Sequence, residues 1–343
     1  MRKRRILVLV HEDLVPPDDL EGHTDEEIRP CKTEYDVVST LRNLGHAATP
    51  LGVSSDLGAI RNAIEEVKPH VCFNLLEEFH GVALYDQHVV SYLELMRQPY
   101  TGCNPLGLTL AHDKALSRKI LSYHRIPVPR FKVFPIGRRV RKPKWLPYPL
   151  LVKSLTEEAS LGISQASVVN SDEKLEERVK FIHDKIGTDA IVDQYVEGRE
   201  LYVGLLGNHR LQALPIWEMR FTKLPEGSEP IATEKVKWDE KYQKQVGVTT
   251  GPAKDFPEGL AEKIVKTCKR AYRALELSGY ARVDIRLQED GQFFLIEANP
   301  NPQLALDEEL AESAHHAGIR YEPLLNKIVS LGLAYRAHWT RVN

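Results

Sequence analysis

The sequence predicts an α/β fold with a parallel sheet at its N-terminal end, on three observations. Short apolar β-rich runs alternate with amphipathic helical patterns over the first hundred residues, in the order β-α-β-α-β that folds as a parallel sheet with helices on both faces. At 343 residues the chain exceeds what one core organises, so two or three packed units are expected. A proline-marked stretch, Ile126-Pro-Val-Pro129, interrupts the pattern and marks the start of a new unit.

The first strand is the buried run 6–10. A helix over 35–44 follows, with Val37, Val38, Leu41 and Leu44 at helical spacing and Gly45 as its stop. A weak strand over 47–51, a helix over 57–67 ending at Pro69, and a strand over 71–74 complete the unit. A dinucleotide-binding Rossmann domain needs GxGxxG directly after the first strand. Here the turn is His11-Glu-Asp-Leu-Val-Pro-Pro17, with no glycine before Gly22, which excludes a dehydrogenase of that kind. A helix over 111–124 leads into the proline stretch. Strands are expected over 131–134, 149–153 and 163–169, then a helix over 172–186 capped by Ser171, with Asp172 and Glu173 suited to the positive end of its dipole. Two strands (190–195, 200–206) precede a long helix over 257–277. The last pair, 281–287 and 292–298, flanks Asp290-Gly291 as a hairpin. The segment 218–253, rich in Lys, Pro, Gly and Glu and without periodicity, reads as a long surface loop.

Composition excludes several classes. Lys and Arg total 46 against 48 Asp and Glu, so the charge of -2 argues against a protein that coats nucleic acid. Cys31, Cys72, Cys103 and Cys268 are scattered without a CxxC pair, which excludes a zinc ribbon or a disulfide scaffold and fits reduced thiols in the cytoplasm. The basic start is followed by an apolar run too short for export, and no run approaches the roughly 20 apolar residues of a membrane helix. A cytoplasmic protein without a membrane partner is expected.

The chemistry concentrates in the last hairpin. Asp284 and Glu297 lie equidistant from the turn, so they should oppose each other across the ladder, with Arg282 and Asn299 on the same faces. Opposed like charges destabilise a sheet, whereas two carboxylates and an amide oxygen suit Mg²⁺. Spacing alone fits a salt-bridged surface with Arg282 equally well. The apolar flanks Val283, Ile285, Phe294, Leu295 and Ile296 indicate a buried sheet and favour the metal site.

Lys153 ends an apolar strand. Lys114 sits near a helix start, where the dipole disfavours it. The segment 157–162, with Glu157, Ser160 and Gly162, joins two strands and suits backbone approach to phosphate, although one glycine and two acids make it unspecific alone. Asp193, Gln194, Tyr195, Val196 and Glu200 read individually as a strand end, a linker and a strand start. No GxxxxGK[ST], HExxH or GxSxG is present. His315-His316 and the basic run 138–144 read as solvated surface.

In this order the motifs resemble the ATP-grasp superfamily and, within it, the D-alanine–D-alanine ligases. The similarity runs from about Phe73 to the C-terminal helix. It is densest at Leu93-Glu-Leu…Pro99-Tyr-Thr-Gly102…His112-Asp-Lys114 and at Ala281-Arg-Val-Asp284…Phe294-Leu-Ile-Glu297-Ala-Asn299. The resemblance implies an ATP-grasp fold, α+β in its ATP-binding part, behind an N-terminal parallel-sheet, Rossmann-like domain. The implied units are 1–110, 111–195 (central) and 196–343 (C-terminal, with the metal site). Lys114 and Lys153 would contact ATP, and Glu157 with the loop through Ser160 to Gly162 would cover its phosphates. Asp193, where the family usually has Glu, would accept from the adenine amino group. Gln194 and Val196 would meet the base through backbone, Tyr195 would pack near it, and Glu200 would hold the ribose. Lys241 matches a phosphate-contacting lysine of the mobile loop. Asp284, Glu297 and Asn299 would hold two Mg²⁺ ions, or Mn²⁺ in their place, and Arg282 would steady charge on the reacting oxygens.

The implied activity is amide or peptide bond formation between amino-acid or peptide substrates through an acyl phosphate, in a chain whose relatives are often homodimers. The segment 218–253 would be the lid over that intermediate. Three departures touch the substrate side: Tyr85 replaces a Glu after His80-Gly81, Ala159 replaces a serine, and Pro300-Asn-Pro-Gln-Leu304 replaces Pro-Gly-Met. They point away from the ordinary D-alanine pair. The alternatives are an ATP-grasp kinase acting on a small molecule and a non-catalytic nucleotide-binding regulator, the latter disfavoured by the retained Arg282, Asp284, Glu297 and Asn299.

Overall fold

The computed structural model describes residues 3–157 and 160–337. Ala159 lies outside the described residues.

The N-terminal sheet is parallel as expected, in the order β2 (Ala47–Val53), β1 (Arg5–His11), β3 (Val71–Asn74). Side chains of β1 alternate between two cores. Leu7 and Leu9 pack with Ile60 of the helix Leu57–Val67 and with Val89, Val90 and Leu93 of the helix Asp86–Leu95. Ile6, Val8 and Val10 pack with the helix Lys32–Asn43 and with Leu324, Leu325, Ile328 and Val329 of the last helix, Tyr321–Ala334. Burial on both faces is why β1 reads as an unbroken apolar run.

Two antiparallel sheets follow. The first is ordered β4 (Phe131–Phe134), β7 (Ala190–Gln194), β5 (Leu150–Ser154), β6 (Val168–Val169). The helix Asp172–Phe181, capped by the Ser171 hydroxyl as expected, covers it through Leu175 and Val179. The second is ordered β11 (Val248–Pro252), β10 (Trp217–Phe221), β8 (Arg199–Leu206), β12 (Tyr280–Leu287), β13 (Phe293–Pro300), with β9 (Gln212–Ala213) on β8. The helix Leu260–Ala274 covers one face with Ile264, Cys268, Ala271 and Tyr272.

Several expectations are corrected. The helix over 111–124 is two helices, Pro105–His112 and Lys114–Tyr123. They break at Asp113, whose carboxylate accepts from the N–H groups of Ala115 and Leu116 at 2.9 and 2.8 Å. The strand over 163–169 shrinks to β6, because Ser164 and Ser167 form a capping box around the 3-10 turn Gln165–Ser167. The helix over 172–186 is α-helical only to Phe181 and widens into a π turn, Ile182–Ile186, closed by Gly187 in the left-handed region. The helix over 257–277 is shorter at both ends. The loop over 218–253 is the largest correction. It contributes β11 and most of β10, and also the helices Glu234–Trp238 and Glu240–Val246. Helices of five and seven residues are too short for periodicity to show, and their starts are set by the caps Thr233 and Asp239.

Candidate active site

The two antiparallel sheets face each other across one cavity, and strand alternation decides what lines it. On β5, Leu150 and Val152 enter the core while Leu151 and Lys153 face the cavity. On β12, Ala281, Val283 and Leu287 are core, and Arg282, Asp284 and Arg286 face the cavity. Asp284 pairs with Glu297 and Arg282 with Asn299, as expected. Beyond that point the register slips by one residue at a β-bulge between Asp284 and Ile285. Ile296 and Glu297 consequently both face the cavity, whereas Leu295 and Ala298 are core.

Polar contacts fix this face. The Arg282 guanidinium donates to both Asp284 oxygens, at 2.8 and 3.1 Å, and to Glu309 at 3.1 Å, and lies 4.7 Å from the Tyr202 ring centroid. The Asn299 amide donates to Asp284 Oδ2 at 2.9 Å. Lys114 Nζ is 3.0 Å from Glu297 Oε1 and donates to the Glu157 carbonyl at 2.7 Å. Lys153 Nζ is 3.5 Å from Asp193 Oδ2, and Arg118 binds Asp193 Oδ1. Glu200 accepts from Tyr202 at 2.9 Å and from Arg286 at 2.6 Å.

A family model described as "D-ala D-ala ligase C-terminus" matches residues 120–330, well over half of the chain. The chain belongs to the D-alanine–D-alanine ligase family. An uncharacterised protein of Sinorhizobium fredii, y4sG, is 32% identical over 88% of this chain and 87% of its own length. The D-alanine–D-alanine ligase of Desulforudis audaxviator is 29% identical over 86% of this chain and 90% of its own. The structure of the D-alanine–D-alanine ligase from Bacillus anthracis complexed with ATP superposes with a TM-score of 0.73 at 23% identity, covering 96% of this chain and 97% of that one. The fold is therefore ATP-grasp, and the protein is an ATP-dependent ligase that forms carbon–nitrogen bonds.

In this ligase, Lys114, Lys153, Glu157, Ser160, Asp193, Gln194, Tyr195, Val196, Glu200, Arg282, Asp284, Glu297 and Asn299 line the one cavity. Two sequence-predicted residues do not. Lys241 is exposed on the helix Glu240–Val246, and Lys237 of the preceding helix lines the cavity instead. Gly162 is held away, its N–H donating to Glu234 at 2.9 Å and its carbonyl accepting from Arg178. Asp193 reaches the cavity, but its carboxylate is committed to Arg118 and Lys153. Sequence reasoning missed Arg118 and Arg286, and both had a signal. Arg118 stands four residues after Lys114 on one helix, and Arg286 continues the period-two series of Arg282 and Asp284.

Electrostatics follow from burial and these partners. Burial alone would raise the Glu297 carboxyl, but Lys114 and Lys153 outweigh it and hold it at about 2. For Asp284 burial prevails over the pull of Arg282, and its affinity for a proton is raised. Burial lowers Lys153 against the attraction of Asp193. Among the described residues, no helix is long and apolar enough to cross a membrane.

Proposed function

We propose that the cavity holds ATP, and that the ligase joins a small amino-acid or peptide carboxylate to an amine through an acyl phosphate. The observation that carries this reading is the β12–β13 register. It sets Asp284 against Glu297, with Arg282 and Asn299 beside them and Lys114 and Lys153 opposite. In the first step a substrate carboxylate oxygen bonds to the γ-phosphorus, the bond to the bridging oxygen breaks, and ADP leaves with that electron pair. In the second, the amine nitrogen bonds to the acyl carbon, phosphate departs with the carbon–oxygen pair, and nitrogen loses a proton. Lys114, Lys153 and Lys237 offset charge on the phosphates, and Arg282 offsets charge on the reacting oxygens. The strand end Gln194–Val196 takes the base and Glu200 the ribose.

The donor set fits a divalent ion. Asp284 and Glu297 are directly opposed carboxylates that a sheet tolerates only beside cations, and the Asn299 amide adds a third hard oxygen donor. Asp284, Glu297 and Asn299 would hold magnesium, which would supply charge neutralisation and orientation of the phosphoryl oxygens. The nucleotide would lie between the central unit, 111–195, and the C-terminal unit, 196–343. The second substrate opening would face the N-terminal unit, 1–110.

Tyr85 and the segment 300–304 support amino-acid substrates other than the ordinary D-alanine pair. A phosphate-release screen of amino acids, alone and in pairs, tests this, with hydroxylamine added to trap the acyl phosphate as hydroxamate. We expect turnover with a pair other than D-alanine, and loss of at least about 10²-fold in kcat/KM for Asp284→Asn. Robust turnover with D-alanine alone would overturn the substrate reading. Phosphoryl transfer without amide or hydroxamate would overturn the ligase mechanism.

A further inference from the structure

Beside the ATP cavity lies a second chamber of about 590 Å³, within the usual range for small-molecule sites. It is enclosed by the N-terminal unit, the lid segment and the residues after Asn299, and Glu157 borders both cavities. Its charge is of one sign. Asp13, Glu34, Glu77, Glu78, Glu157 and Glu234 line it, and no lysine or arginine does so among the described residues. The one basic group there, His11, is 3.3 Å from Glu78. In the ATP cavity, by contrast, acids and bases are balanced: Glu157, Asp193, Glu200, Asp284 and Glu297 are met by Lys114, Lys153, Lys237, Arg282 and Arg286.

An acidic cluster alone is commonplace, but Glu34 is not. It is 6% exposed, in the first turn of the helix Lys32–Asn43, and its side chain borders the chamber. It receives no hydrogen bond or ion pair from another described residue, whereas Glu234 and Glu78 have partners in Gly162 and His11. A buried carboxylate left in this way is costly until a cation joins it. An α-carboxylate placed in this chamber would find six acids and, among the described residues, no lysine or arginine.

We propose that the chamber receives a non-reacting cationic group of the amine substrate, an ammonium or guanidinium that pairs with Glu34, as in a basic amino acid or a diamine. This deepens the ligase reading and rests on it. An acidic chamber beside a cavity whose cations are placed for the phosphates orients such a substrate, with its distal cation in the chamber and its reacting nitrogen towards the phosphates. Burial outweighs the residue's own backbone N–H and pushes the Glu34 carboxyl up to about 7, consistent with a site that waits for a counter-charge.

The test is calorimetric titration of the full chain with lysine, ornithine, norleucine and glutamate, using both enantiomers, with and without a non-hydrolysable ATP analogue. The analogue itself is titrated in parallel. We expect lysine or ornithine to bind at least about tenfold more tightly than norleucine, which matches lysine's shape without the charge. Glu34→Gln should erase that preference while leaving affinity for the analogue unchanged. Equal affinity for norleucine, preference for glutamate, no binding by any probe, or a preference that survives Glu34→Gln each overturns the proposal. The wild-type comparison decides even where the variant fails to fold. Failure of the analogue to bind would overturn the nucleotide site instead.

Discussion

Glu34 and Glu297 are both buried glutamates, and their surroundings drive them in opposite directions. Glu297 is held at about 2, so its ionised form stabilises the fold above its ordinary value of 4.5, and that stability is lost as pH falls through 2. Glu34 is raised from 4.5 to about 7, so the folded chain binds more protons than the unfolded one in between. Stability therefore falls as pH rises across that window, by roughly 3 kcal/mol at most, and is flat beyond it. Glu34→Gln removes the term. Urea unfolding of the two proteins from pH 4.5 to 8 should show the variant's advantage growing to pH 7 and then levelling. A constant gap would mean that Glu34 does not titrate there. Neither role was legible from a residue alone, because Glu297 depends on Lys114, 183 positions away, and Glu34 on having no such partner among the described residues.

At the level of elements, alternation and caps were readable and irregularities were not. The expected opposition of Asp284 and Glu297 holds, yet it rests on the bulge rather than on a two-residue turn. The ladder near the turn pairs Leu287 with Phe293, a register that alone would set Asp284 against Ile296. One extra residue restores the pairing and swings Glu297 out of the core. The segment 218–253 shows a similar shift. The family resemblance selects Lys241, but the helix cap at Asp239 starts a new helix that turns this residue to solvent, and the short helix before it presents Lys237. Lys237→Ala should lower kcat/KM by about 10²-fold and Lys241→Ala by less than about threefold, measured on any substrate pair that the screen identifies. The reverse order would restore the motif-based assignment.

Across the whole molecule, the last helix returns to the first sheet, so the C-terminal end of the chain completes the N-terminal core. Ile328, with no exposed surface, shares one buried cluster with Ile6, Val8 and Val10 of β1 and with Val37, Val38 and Leu41 of the helix Lys32–Asn43. Ile328→Ala should cost about 2–5 kcal/mol in denaturant unfolding, as for a cavity in a packed interior. A cost below about 1 kcal/mol would show that the helix is only loosely docked. The same long-range folding brings His11 and Glu34 beside Glu157 and Glu234, and so creates a chamber that no local segment announces. The sequence by itself determined the parallel sheet and the strand pair carrying Asp284 and Glu297, because side-chain periodicity and turn chemistry act over a few residues, while Lys114 and Lys153 were assigned a role only by the family resemblance. Only the tertiary structure decided which acids meet cations and which remain alone, since charge is balanced across space between segments that the chain itself keeps far apart.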